Sequence, residues 1–150
     1  MTVNPLELIT FHTKAAKAYE KLCQPLCKKY HLNQTCMDVL MFLSNNPAYN
    51  TARDLCEVRG IRSGNASVAI DTLVRQDFLT RHPDSSDRRI TRLSLTETAV
   101  PLITEGKLIQ KQYARLLADT ISEDELNNYF LVAGKFLENI EKILADTCDS

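Results

Sequence analysis

Residues 51–96 read TARDLCEVRGIRSGNASVAIDTLVRQDFLTRHPDSSDRRITRLSLT, and the fold is decided in this stretch. Thr51 is a natural helix cap, with Asp54 at the third position, so a short helix is expected over Ala52–Arg59. Gly60 can take the left-handed conformation that ends it. Ser63 is placed to cap the next helix, whose inward face is Ala66, Ala69, Ile70, Leu73 and Val74. Two short helices joined by a tight Gly-containing turn make a helix-turn-helix. After Asp77 the period changes. Phe78-Leu79-Thr80-Arg81 and Thr91-Arg92-Leu93-Ser94-Leu95 read as strands. The polar turn between them, Pro83 to Arg89, carries two arginines near its tip. Helix, turn, helix, hairpin is the order of a winged helix.

On the N-terminal side, Asn4-Pro5-Leu6-Glu7 is a strong helix start. Leu8, His12, Ala15, Tyr19, Leu22, Leu26 and Tyr30 follow at helical spacing, with a kink or break expected near Cys23 because of Pro25. Asn33 or Thr35 can cap a second helix through Met37, Leu40, Met41 and Leu43, ended by Asn45-Asn46-Pro47. On the C-terminal side, Thr96 or Thr98 begins a helix that tolerates Pro101 only in its first turn. Ser122-Glu123-Asp124-Glu125 is a capping box. The helix it opens carries a wide apolar stripe from Leu126 to Leu144. The expected class is mainly α with a small β-hairpin wing, a winged helix-turn-helix between long N- and C-terminal helices. Residues 33–96 would form the winged lobe, with 1–32 and 97–150 as a helical region around it.

The chain has 150 residues and a net charge of −1, from 18 Lys plus Arg against 19 Asp plus Glu. No run of about 18 apolar residues occurs, so a membrane span is not expected. The start shows no basic region followed by an apolar core, and the five cysteines lack a framework spacing, so a cytoplasmic location with reduced thiols is expected. The near-neutral total argues against nucleic acid until the charges are mapped. Eight of the nine arginines lie between residues 50 and 96, where no lysine occurs. That window is +2, residues 1–49 are +2, and residues 97–150 are −5. Arginine presents a planar fork suited to phosphates and guanine edges. An arginine-only window therefore points toward DNA. Arg62, ahead of the second helix, could grip phosphate, and Arg75 near its end could do the same or balance the helix dipole.

The sequence here resembles the MarR family, the multiple-antibiotic-resistance type of bacterial transcription regulator. The carrying residues are Thr51-Ala52-Arg53-Asp54-Leu55, the helix from Ser63 through Leu73, and Asp87-Arg88-Arg89 followed by Leu93-Ser94-Leu95-Thr96. The resemblance implies a homodimer joined through its first and last helices and bound to palindromic double-stranded DNA. It also implies repression relieved by a small aromatic or phenolic effector. It makes the helix from Ser63 to Arg75 the recognition helix, with Ser63, Asn65, Ser67 and Thr72 available to bases or phosphates. Arg88 and Arg89 then sit at the wing tip, Arg89 directed at the minor groove, and Asp87 orients the wing. Val68 and Thr72 stand where many members carry Arg, and Asp77 where a Gly commonly precedes the wing.

Other readings stay open on the residues alone. Cys23 and Cys27, four apart on a helix, could form a redox or metal-responsive pair, although packing of reduced thiols is the commoner role. Cys36 and Cys56 read as core, and Cys148 as an exposed thiol in a polar tail. No zinc-type spacing, Gly-rich phosphate loop or nucleophile elbow is present, so neither a metal, a cofactor nor an enzyme is expected. A helical protein-interaction module without DNA binding is the alternative of a different class.

Overall fold

The computed structural model describes residues 4–146. Cys148 lies outside them. The chain divides into two units, residues 1–113 and 114–150.

The first unit opens with α1, Pro5–Lys29. Asn4 caps it, its Oδ1 accepting from the Leu6 N–H at 3.0 Å. Of the kink or break expected near Cys23, the break does not occur: the helix runs unbroken through Pro25. Pro25 and Lys21, whose carbonyl loses its partner, are both exposed. Cys23, Leu26 and Cys27 are buried on the opposite side and hold the helix against the core. His31 then turns the chain in the left-handed region (φ 54°), and the Leu32 N–H reaches back to the Cys27 carbonyl.

Helix α2, Gln34–Asn45, is capped by Asn33, which accepts from the Cys36 N–H at 2.9 Å. It is buried on nearly every side, with Met37, Val39 and Leu40 fully inaccessible. A helix apolar all round belongs at the centre of a core. Helix α3, Ala52–Glu57, has the expected box: the Thr51 side chain accepts from the Asp54 N–H, and Asp54 accepts from the Thr51 N–H and hydroxyl. It ends two residues before Arg59, because Gly60 (φ 78°) turns the chain and the Ile61 N–H reaches back to the Leu55 carbonyl. Helix α4, Ser63–Arg75, corrects a second expectation. Ser63 is its first residue, and the capping position is Arg62, which makes no side-chain cap bond. The extended backbone of Arg62 after the Gly60 turn places the helix start one residue early. Its buried face is Ala66, Ala69, Ile70 and Leu73, and Val74 is half-buried.

Strands β1, Leu79–Pro83, and β2, Thr91–Leu95, pair antiparallel from Leu79 opposite Leu95 to Pro83 opposite Thr91. Strand β1 starts one residue later and runs two residues further than the sequence suggests. Pro83 is tolerated because it closes a strand at a sheet edge. Phe78 is buried instead, its ring edge-on to Tyr30 at 6.1 Å. The Leu93 N–H donates to the Asn50 carbonyl at 2.8 Å and ties the hairpin to the loop before α3. Asp77 is left-handed (φ 61°), which explains why glycine suits that position. The Asp77 side chain accepts from the Thr98 hydroxyl, and its carbonyl accepts from the Thr96 hydroxyl. A 3-10 turn at Glu97–Ala99 leads into α5, Val100–Leu117, with Pro101 in the first turn. The core is continuous from Leu26 through Met37, Leu40, Leu55 and Leu73 to Leu79 and Leu102.

In the second unit, α6, Glu123–Asp146, starts at the expected box. The Ser122 N–H and hydroxyl donate to Glu125, and the Glu125 N–H donates to the Ser122 hydroxyl. Its stripe is exposed, including Tyr129, Phe130, Phe136, Leu137 and Ile140.

Candidate nucleic-acid interface

The outward side of α4 carries the sequence-selected residues. Ser63, Asn65, Ser67 and Arg75 are exposed, Arg62 is exposed just ahead of the helix, and Thr72 is half-buried. The Arg75 guanidinium lies 3.4 Å from the Thr72 hydroxyl. The two serines line a cleft of about 570 Å³ between α3, α4 and the hairpin, with Arg53, Arg81 and Thr91 on its other walls. Arg81 on β1 forms an ion pair with Asp71 on α4. This tie between wing and helix joins residues of unlike elements and has no signature in the sequence.

The wing loop is built around Asp84, which sequence reasoning did not single out. Its carboxylate accepts from the Ser86 N–H and hydroxyl and from the Asp87 N–H. It also accepts from Arg92 Nε at 2.8 Å, and the same guanidinium donates to Asn50 at 2.9 Å. The hydrogen bonds from Ser86 and Arg92 hold the Asp84 carboxyl well below the usual carboxylate range. The signal available was the Asp-Ser-Ser run, since Asp accepts readily from the backbone two residues on.

Asp87 accepts from Arg89, two residues on. It takes the Arg89 N–H, Nε and Nη2, each at 3.0 Å, and the guanidinium beside it lowers its carboxyl pKa. The Arg89 side chain remains 90% exposed. Arg88, at the same tip, has no ion pair among the described residues. Five of the eight window arginines are paired: Arg53 with Glu57, Arg59 with Asp38, Arg81 with Asp71, Arg89 with Asp87 and Arg92 with Asp84. Among the described residues, Arg62, Arg75 and Arg88 are the window arginines without an ion pair, at the two ends of α4 and at the wing tip. Net charge hides this arrangement and pairing reveals it.

Cys23 and Cys27 both face inward and are buried. Burial pushes the Cys23 thiol up and the Cys27 thiol up to about 11. Cys36 is buried too, and Cys56 is half-buried against the core. Among the described residues no group of three or more His, Cys, Asp or Glu is placed to hold a metal ion, and no helix is long and apolar enough to cross a membrane.

Residues 32–90 match the model of the MarR family. A curated relative, the transcriptional regulator AdcR of Streptococcus pyogenes, is 34% identical over 96 residues. That alignment covers 64% of this chain and 64% of the relative, so the chain spans under two thirds of that protein's length. Among solved structures, the transcriptional regulator PA3341 superposes with a TM-score of 0.80 at 24% identity, over 90% of this chain and 98% of that one. The MepR–DNA complex of S. aureus gives 0.73 at 17% identity, over 87% and 94%. The winged-helix fold, the wing sequence from Asp87 to Thr96 and these matches agree: the chain is similar to MarR-family regulators, whose model covers its residues 32–90.

Proposed function

We propose that the chain is a sequence-specific DNA-binding transcriptional regulator that acts in the cytoplasm as a homodimer on a palindromic operator. The observation that carries this reading is the placement of exposed arginines. Arg62 and Arg75 bracket an exposed polar helix face, and Arg88 and Arg89 crown a wing fastened by Asp84 and Asp87. Phosphate contacts fix the register of a recognition helix, and residues on its outer face read bases. On this reading Ser63, Asn65, Ser67 and Thr72 face DNA, residues 33–96 are the binding lobe, and residues 1–32 and 97–150 serve dimerisation. Exposed apolar residues on the first turns of α1 (Leu6, Ile9, Phe11) and along α6 support a second copy.

Repression relieved by a small aromatic or phenolic effector completes the reading. A groove of about 380 Å³ between α1 and α5 supports it, with Leu22, Leu26, Leu108 and Ile109 as apolar walls and the Lys29–Glu105 ion pair at its rim. The test is fluorescence anisotropy with duplex DNA from beside the chain's own gene, against an unrelated duplex. Preferential binding that weakens steeply between about 50 and 200 mM salt is expected. Equal binding to both duplexes, or none at low salt, overturns the reading and favours a protein-interaction module.

A further inference from the structure

Val68 is 63% exposed, a large apolar residue in the middle of a helix whose other outward side chains are polar or absent. At about 100° per residue, Val68 lies roughly 150° round the helix from the centre of the buried set Ala66, Ala69, Ile70 and Leu73. It therefore sits near the crest of the outward face. One turn earlier on that crest is Gly64, where an added Cβ would meet nothing within 4 Å. One turn later is Thr72, which carries a methyl of its own. Val68 is thus the apolar spot on this outward face, between Arg62 and Arg75, with the Asp71 carboxylate beside it held by Arg81.

We infer that Val68 is a specificity-determining residue that reads a thymine by packing its methyls against the thymine 5-methyl group in the major groove. The inference rests on the DNA-binding reading above. The thymine methyl is the one apolar feature the major-groove edges present, and small apolar side chains contact it. A β-branched valine in a helix has essentially one χ1 rotamer, so its two methyls are already fixed and lose little freedom on contact. The open crest at Gly64 lets the helix backbone approach the base edges closely. The cations at either end supply the phosphate grip that brings the crest to the groove floor. Each half-site of a twofold operator would then hold one thymine selected by Val68.

The test begins with selection of binding sequences from a random duplex library by wild type, Val68→Ala and Val68→Thr. Wild type is expected to enrich sequences with one invariant thymine per half-site. That position relaxes with Val68→Ala and persists with Val68→Thr, which keeps a methyl in place. In the selected duplex that thymine is then replaced by uracil, which deletes only the methyl. Wild-type affinity should fall about fourfold per half-site, the effect of one methyl-sized group on contact area, and the effect should vanish in Val68→Ala. Because Val68 is exposed, both variants keep the wild-type helical spectrum, which is measured alongside. Enrichment by wild type with no uracil effect, or with the same effect in Val68→Ala, overturns this inference and leaves the DNA-binding reading standing. No enrichment by wild type overturns both.

Discussion

Gly106 faces Met41 of the central helix at close range, and one methyl group tests that geometry. A Cβ built at Gly106 would lie 2.5 Å from Met41 Sδ, 3.3 Å from its Cε and 3.6 Å from its Cγ. Met41 is 3% exposed, so its outer half cannot swing into solvent and must repack within the core. Overpacking of this kind costs about 1–3 kcal/mol, toward the upper end when the intruded group is buried. Against it stands the helix preference for alanine over glycine, about 1 kcal/mol. The net for Gly106→Ala is a loss of about 1–2 kcal/mol. Gly134 in α6 meets nothing within 4 Å. It lies about 100° round the helix from Ala133, beside the apolar stripe. Gly134→Ala should therefore stabilise by about 0.5–1 kcal/mol, so the same substitution has opposite signs at two sites. Urea unfolding at fixed protomer concentration measures both. Met41→Val, which removes the sulphur and terminal methyl, closes a double-mutant cycle whose coupling to Gly106→Ala should exceed about 0.5 kcal/mol. A Gly106→Ala protein as stable as wild type, or a cycle without coupling, would refute the close approach of α5 to Met41.

Three further outcomes are expected. Arg88→Ala should leave stability unchanged, because the side chain is exposed and has no ion pair among the described residues, while lowering DNA affinity and reducing the salt slope by about one unit, with a smaller drop for Arg89→Ala because Asp87 already partners that charge; an unchanged slope in both variants places the wing off the DNA. Two carboxylates should give opposite pH responses. Asp84, with its pKa lowered by Ser86 and Arg92, stabilises the fold above the ordinary carboxylate range and loses that contribution as pH falls through it, so the stability gap between wild type and Asp84→Asn should close in acid. Asp38, with its pKa raised by burial, opposes folding more as pH rises through the same range, so Asp38→Asn should gain on wild type with rising pH; a gap that moves the other way contradicts its placement beside α1. In a Cys148→Ser background, Cys56 should react with a thiol reagent well before Cys23 and Cys27. Rapid native-state labelling of the latter pair would revive the thiol-responsive reading.

The features legible in the sequence are local ones. Asn33, Thr51 and Ser122 announce helix starts because a cap needs only a few consecutive residues, and each is seen to accept from the backbone. Ser63 failed by the same rule, since the Gly60 turn and the extended Arg62 set where α4 begins. Pro25 failed because a break is a local preference, whereas three buried neighbours hold α1 together. At the interface the arginine window was plain in the sequence. Which arginines are free was not, because that depends on acids brought alongside by folding: Asp38 to Arg59, Asp71 to Arg81 and Asp84 to Arg92. Val68 was hidden for a related reason. The helical period had already left it off the inward face, but only the fold shows it exposed on the crest beside Gly64.

The internal pairing of most of the arginines bears on how such a protein finds its target. An arginine that carries its own carboxylate holds non-specific DNA weakly, since sequence-independent affinity comes from phosphates neutralised by free cations. A genome offers on the order of a million or more decoy sites, and every encounter with one is time lost. On the proposed reading, a DNA-facing surface with few unpaired arginines would leave a decoy quickly. Only where bases also engage α4 would departure slow. Self-neutralisation of the Arg window would thus shorten idle residence and shift the molecule's time toward search.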